Sequence, residues 1–386
     1  MFLVNIAGKL IAGEPIMHPM VATIIPISGH YGRRSGSIVV TVQIELIKQR
    51  KEKAMRYRTI KNTDLKVGNL CLGTAPFGEK ISREEAFDIL DAYVREGGNF
   101  LDTANIYCKW IPGVGNCSEH VLGEWLKARG AFKEVVIATK GGHYLFDIPG
   151  RKSRVNEAEV RKDLEDSLKT LGLDTIDFYW LHRDDEAKPI EEIIDLLEKL
   201  KREGKIRYYG LSNYKIERVE QARSYLKSKG LEGPYAVSNQ WSMASINPGK
   251  NTNPDPTLVE FTKEEYQWHV QTQIPAIPFS STAMGFFEKL KKAGVKAQDG
   301  RLICEGSREI IGVSLWDAYN NEDNLKKYET LLKLQEETGH SLQALSLAYL
   351  ISQPFQVFPV GAVRNVEQLK GFLEAGDMEI DLERFK

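Results

Sequence analysis

The sequence predicts an α/β fold, a closed (β/α)8 TIM barrel with a non-barrel N-terminal extension, and three observations carry that reading. Downstream of Met55, short apolar runs rich in β-branched and aromatic residues alternate with longer segments of helical period, the rhythm of parallel strands with helical crossovers. The alternation yields eight strand candidates, and eight strand-helix pairs fit a closed barrel better than an open doubly wound sheet. No GxGxxG follows an early strand, which disfavours a Rossmann domain.

The elements follow in order. Met1 to Gly13 is apolar in patches but lacks a basic n-region and is interrupted by Asn5 and Lys9, so it reads poorly as a signal peptide. Met20 to Ile27 contains a proline and is too short to span a membrane. Val40 to Leu46 alternates apolar and polar residues, a half-buried strand pattern, and the basic run Lys48 to Lys53 reads as a solvated linker. A closed barrel has no free edge to accept that strand. Residues 1–54 are therefore read as a weakly structured or peripheral extension, and residues 55–386 as the barrel. The eight strands are expected at Val67 to Leu72, Asn99 to Asp102, Val135 to Thr139, Ile176 to Leu181, Ile206 to Leu211, Val237 to Gln240, Ala276 to Phe279 and Gln356 to Val360. Between them, Pro189 to Glu203 places Ile190, Ile193, Ile194, Leu197 and Leu200 on one helical face. Asn156 to Leu171 does the same with Val160, Leu164 and Leu168, and Asn156 stands as its N-cap.

Composition narrows the function. Among 386 residues, 52 Lys+Arg face 53 Asp+Glu, a net charge of −1 with the signs interspersed. Such a surface has no basic field for nucleic acid or an anionic membrane, which leaves small molecules as partners. The oligomeric state is not readable from the pattern. The four cysteines form no CxxC pair and are too sparse for a disulfide framework, so a reducing, cytoplasmic location is expected. Cys108 and Cys117, with eight residues between them and no histidine ligand nearby, read as free thiols rather than a zinc site, and no metal is expected.

In a barrel the chemistry sits at the C-terminal strand ends, and here those ends are polar. The second strand ends at Asp102 and continues Thr-Ala-Asn-Ile-Tyr107; the third ends Ala138-Thr-Lys140; the fourth ends Leu181-His182-Arg-Asp-Asp185. Each residue alone has a structural explanation. Four titratable groups at consecutive strand ends, however, converge on one small volume and must compensate one another. Glu119 and Asp184 offer a glycosidase-like carboxylate pair as a rival, but that reading leaves Lys140 unexplained.

These segments resemble the catalytic tetrad motifs of the aldo-keto reductase superfamily. Leu72-Gly73-Thr74, Gly210-Leu-Ser212-Asn213 and Asn239-Gln240-Trp241 resemble its first, fifth and sixth strand ends, and the similarity runs from about Met55 to Ala375. The resemblance implies NADPH-dependent reduction of an aldehyde or ketone to an alcohol. Asp102, Tyr107, Lys140 and His182 would be the catalytic residues. Hydride transfer to a carbonyl develops an alkoxide and needs a proton donor; Lys140 beside Tyr107 would lower the phenol's pKa, Asp102 would hold Lys140, and His182 would stabilise the growing charge. The implied cofactor is NADP(H), with NAD(H) kept as the alternative. Gly73, Thr74, Ser212, Asn213 and Gln240 would bind it, Phe279 would stack on the nicotinamide, and Ser280, Ser281 and Thr282 would meet phosphate and ribose. Gly361, Ala362, Val363, Arg364 and Gln368 would complete the site, the guanidinium suiting a 2′-phosphate. Phe279 stands where the family more often has a hydroxylated aromatic, and Phe372 where it often has an adenine-contacting Asn. Phe77, Trp110 and Trp241 would wall the pocket for a small carbonyl substrate. The alternative is a non-catalytic, NADPH-binding regulatory protein on the same barrel, resembling potassium-channel β subunits; it would need neither Tyr107 nor His182.

Overall fold

The computed structural model describes residues 55–298, 301–303 and 307–385. The extension and the strand expected at Val40 to Leu46 lie outside the described residues.

The chain enters through an antiparallel hairpin of β1 (Tyr57–Thr59) and β2 (Lys66–Gly68). Arg58 donates to the Val357 carbonyl at 2.5 Å and its guanidinium lies 4.7 Å from the centre of the Phe358 ring. Lys61 Nζ donates to the Thr272 carbonyl at 3.0 Å. These partners precede the last two barrel strands, so the hairpin covers the floor of the barrel. The single strand expected from Val67 to Leu72 is thereby divided. Val67 belongs to the hairpin, while β3 (Cys71–Gly73) enters the barrel. Between them the Asn69 backbone N–H donates to Arg56 O, and its side chain to Gly376 O.

The barrel strands are β3, β4 (Phe100–Asp102), β5 (Val136–Gly141), β6 (Ile176–Leu181), β7 (Ile206–Ser212), β8 (Val237–Ser238) and, after a small outlying hairpin of β9 (Lys296–Gln298) and β10 (Arg301–Ile303), β11 (Val360–Gly361). Seven of them form one parallel sheet in the order β11-β3-β4-β5-β6-β7-β8. The eighth position is filled by the segment expected at Ala276 to Phe279, reduced to isolated bridges: Ala276 pairs with Val237 on one side and Val357 on the other. The reason is in the sequence Pro275-Ala-Ile-Pro278. Neither proline can donate to a ladder, so the amides of Ala276 and Ile277 carry the pairing, to Gln356 O and Val237 O, each at 2.9 Å. Pro278 O accepts from Val360 N at 2.9 Å and closes the ring.

Among the described residues twelve helices accompany the strands: α1 (Arg83–Arg95), α2 (Cys117–Arg129), α3 (Glu157–Leu171), α4 (Ile190–Arg202), α5 (Ile216–Ser228), α6 (Lys263–Thr272), α7 (Phe286–Lys292), α8 (Ser307–Ile311), α9 (Val313–Tyr319), α10 (Glu322–Thr338), α11 (Leu342–Ile351) and α12 (Val366–Leu373). Local chemistry starts them. Ser82 and Glu85 make a reciprocal capping box on α1, and Asn156 accepts from Glu159 N at the start of α3. In α4 the five apolar residues at helical spacing are all buried. One core cluster fills the barrel and its inner helix faces, with Leu72, Leu101, Phe178, Trp180 and Leu211 at its centre. A second, around Phe286, Leu315, Tyr319 and Leu331, packs α7, α9 and α10. No described helix is long and apolar enough to cross a membrane.

Candidate active site

β4 ends at Asp102, and the chain then folds back over the neighbouring strand: Thr103 N donates to Ala138 O and Asn105 N to Lys140 O. That return brings Tyr107 over Lys140. The Lys140 ammonium donates to Asp102 Oδ2 at 2.5 Å, to the Thr103 carbonyl at 2.7 Å and to the Tyr107 hydroxyl at 3.1 Å, so its three protons have three acceptors. Lys140 and Asp102 are each 4% exposed. A buried ammonium would shed its proton unless paired; Asp102 and Tyr107 offset the burial and hold Lys140 charged. Burial raises Asp102, and Lys140 opposes that shift.

His182 follows β6 directly, its N–H donating to Gly141 O at 2.9 Å. Its ring lies 6.2 Å from the Tyr107 ring and 4.8 Å from that of His143. Burial, with help from Arg183, pushes His182 well below the ordinary histidine range, so the ring is neutral. Its Nδ1 is buried without a partner. An unpaired lone pair is easier to bury than an unpaired N–H, which places the proton on Nε2. The structure corrects the expectation for Tyr107. Lys140 does pull its pKa down, but burial outweighs it and the phenol stands above its ordinary value.

These groups open on a cavity of about 460 Å³ lined by Tyr107, Trp110, His143, Tyr144, Phe146, Arg151, His182, Arg183 and Asp255. Trp110 and Phe146, both exposed, meet edge to face at 5.8 Å at its mouth. Arg183 donates to Asp255 at 3.1 Å, to Thr257 at 2.8 Å and to the His182 carbonyl at 2.8 Å.

The residues expected around the cofactor are gathered at neighbouring strand ends. Gly73 is packed against Val360 and Gly361, and Thr74 is buried, hydrogen-bonded to Asp102 O and Ser118. Ser212 donates to Ser238 O at 3.0 Å. Asn213, at φ 60°, donates to His182 O and accepts from Val259 N. Gln240 exchanges hydrogen bonds with Asn251. Phe279, half-buried, precedes the turn Ser280-Ser281-Thr282, in which Ser280 has φ 56° and Ser281 donates to Pro278 O. Beyond β11, Ala362 and Arg364 are exposed while Val363 is buried, and Gln368 accepts from Arg364 N. Phe372 is buried under Gly361, where a Cβ would come within 2.4 Å of its ring.

Two wall residues are not brought to the cavity. Phe77 is fully buried, its carbonyl facing the sulfurs of Cys108 and Cys117. Trp241 stacks on Phe261 at 4.0 Å and lines a separate cavity near Tyr266 and Tyr349. The carboxylate pair fails too. Glu119 is buried against Thr139 and Asn116, and Asp184 is held by Arg218. Cys108 and Cys117, read as free thiols, form a disulfide, which removes the premise on which a reducing compartment was expected. The sequence reading also missed His143, Asp255 and Lys289. His143 lies three residues past Lys140 on the same strand end, a signal that was available. Asp255 joins its site through a distant loop, and Lys289 lies on α7, near enough to Arg364 for that charge, after burial, to lower its pKa.

The family model for the aldo/keto reductase family matches residues 69–386. The aryl-alcohol dehydrogenase [NADP(+)] of Phanerodontia chrysosporium is 27% identical over 341 residues, covering 83% of this chain and 82% of that protein. An uncharacterized oxidoreductase of Bacillus subtilis is 28% identical, covering 85% and 93%. The norsolorinic acid reductase B of Dothistroma septosporum is 27% identical, covering 83% and 77%. A match that runs from the floor of the barrel to its last residue leaves one conclusion: the chain belongs to the aldo/keto reductase family and is an NAD(P)H-dependent oxidoreductase.

Proposed function

We propose that the protein reduces an aryl aldehyde or ketone to the alcohol with NADPH, Tyr107 acting as proton donor. The observation that carries the reading is the buried chain Asp102–Lys140–Tyr107 ending beside a neutral His182 at the base of an aromatic cavity. NADPH, when bound, supplies the hydride that no side chain can. The residues present fit it: amide and hydroxyl groups stand at the ends of β7 and β8, so Ser212, Asn213 and Gln240 would hold the carboxamide and Phe279 would stack on the ring. Ser280, Ser281, Thr282, Gly361, Ala362, Val363 and Gln368 would frame the phosphates and ribose, Gly73 and Thr74 would belong to the same cofactor site, and Arg364 with Lys289 would offer two cations for a 2′-phosphate. His182 Nε2 donates to the substrate carbonyl and stabilises the oxygen as charge grows. Tyr107 transfers its proton to that oxygen, and the Lys140 charge stabilises the phenolate left behind. The name of the Phanerodontia relative, an aryl-alcohol dehydrogenase using NADP(+), supports the cofactor and the aryl substrate, and that of the Dothistroma relative, a reductase, supports the direction.

The test is Tyr107→Phe, which deletes the donor and no cofactor contact. kcat/KM for a benzaldehyde should fall by roughly 10²- to 10⁴-fold, with the NADPH Kd nearly unchanged. Retained turnover would remove Tyr107 from the role. Wild-type protein that binds NADPH and reduces no carbonyl would instead be the regulatory barrel.

A further inference from the structure

His143 stands in the cavity without a task in the reaction just described. Its Nδ1 lies 2.6 Å from the Tyr144 carbonyl. A carbonyl can only accept, so Nδ1 carries the proton and Nε2 carries a lone pair. Burial, aided by the charge of Arg183, lowers its pKa to about 3, so the ring stays neutral through the working range. The ring lines the cavity, and Nε2 is its one nitrogen left to meet a ligand.

The carboxylate of the lining is already engaged. Asp255 Oδ1 takes both the N–H and the hydroxyl of Thr257; Oδ2 takes Tyr144 Oη at 2.9 Å and Arg183 at 3.1 Å. The imidazoles of His182 and His143 are 4.8 Å apart, centre to centre, at 63°. One presents a donor, the other an acceptor. Rings this close reach ligand atoms that are themselves near neighbours. Phe146, 5.3 Å from His143, and Trp110 beyond it supply faces and edges for a flat ring.

We propose that His143 Nε2 accepts a hydrogen bond from a hydroxyl adjacent to the reacting carbonyl, so that the preferred substrates are ortho-hydroxylated aryl carbonyls. The inference rests on the carbonyl-reductase reading. His143 is a specificity residue in it: it orients the ring and takes no proton.

The experiment measures kcat/KM with NADPH for 2-hydroxybenzaldehyde and 2-methoxybenzaldehyde in the wild-type protein, His143→Leu and His143→Gln. The intrinsic reactivity of each aldehyde is the same in all three proteins and cancels from the comparison. The hydroxy-to-methoxy ratio should fall roughly three- to tenfold in His143→Leu, the worth of one neutral hydrogen bond. His143→Gln, whose side-chain oxygen still accepts, should recover part of it. A ratio unchanged in His143→Leu overturns the proposal, whatever that variant does to absolute rates. If the wild-type protein reduces neither aldehyde, the reductase reading fails instead. Equilibrium binding of the same two compounds, followed by tryptophan fluorescence, then decides the hydroxyl contact: equal affinity ratios in wild type and His143→Leu would reject it.

Discussion

Lys140 spends all three of its protons on neighbours, and the ionisation of those neighbours follows from where they are buried. Tyr107 is held above its ordinary pKa, so it remains a protonated donor across neutral pH. Carbonyl reduction should then be flat from about pH 6 to 8, whereas alcohol oxidation, which needs the phenolate, should rise as the pH climbs toward the tyrosine range. Steady-state pH profiles in both directions check this. An acidic limb near pH 6.5 that vanished in His182→Gln would contradict the neutral imidazole. At the far side of the site, Arg364→Ala should raise the Kd for NADPH by roughly tenfold, the scale of a hydrogen bond to a charged group, and leave NADH within about twofold. Equal losses for the two nucleotides would remove Arg364 from the 2′-phosphate. The strand-end polar residues were legible because barrel topology sends consecutive ends to one rim. Phe77 and Trp241 were misplaced because aromatic character says nothing about which side of a loop a ring takes; packing decided that, burying one and stacking the other on Phe261.

At the scale of the element, the loop between β4 and α2 carries both Tyr107 and Trp110, and the Cys108–Cys117 disulfide, with a sequence separation of 9, closes its second half around Trp110, starting one residue after Tyr107. Closing a loop that short stabilises the folded chain by about 2–3 kcal/mol in the chain-entropy picture. Reduction with dithiothreitol, or a Cys117→Ser variant, should lower Tm accordingly; an unchanged Tm would show that packing alone holds the loop. The pairing was not legible, because a spacing of eight intervening residues matches no framework, and only the fold back over β5 brings the two Cα atoms to 5.7 Å. Helices α3 and α4 were legible to within a residue, α3 because periodicity and the Asn156 cap agree and α4 from its apolar periodicity. The first strand was misjudged since only Gly68 and Asn69 separate the apolar residues of the hairpin from those of the barrel, and Asn69 supplies the turn through hydrogen bonds to distant backbone.

For the whole molecule, the proposal that the barrel is complete without residues 1–54 is tested by a protein that begins at Met55, 386 − 54 = 332 residues long. It should keep the far-ultraviolet spectrum, Tm and turnover of the full chain, since Met55 is buried near Gly68 and Gly376, Arg56 pairs with Glu379, and the floor hairpin is intact. Insoluble or inactive protein would make the extension part of the enzyme. The eight-part rhythm was legible, but the sixth strand shortened to Val237–Ser238, the eighth shifted to Val360–Gly361, and the seventh came out thinnest, as isolated bridges. That thinness has a bearing on how the ring opens. β6 and β7 are joined at five registered residue pairs, whereas the segment between its two prolines is joined by one pair on each side. A ring so unevenly stitched has a preferred tear line, and this one runs beside Phe279 and β11, between the two lips that would grip a dinucleotide. A ligand gripped by both lips would act as a clasp, and breathing of the fold and release of cofactor would then become one motion.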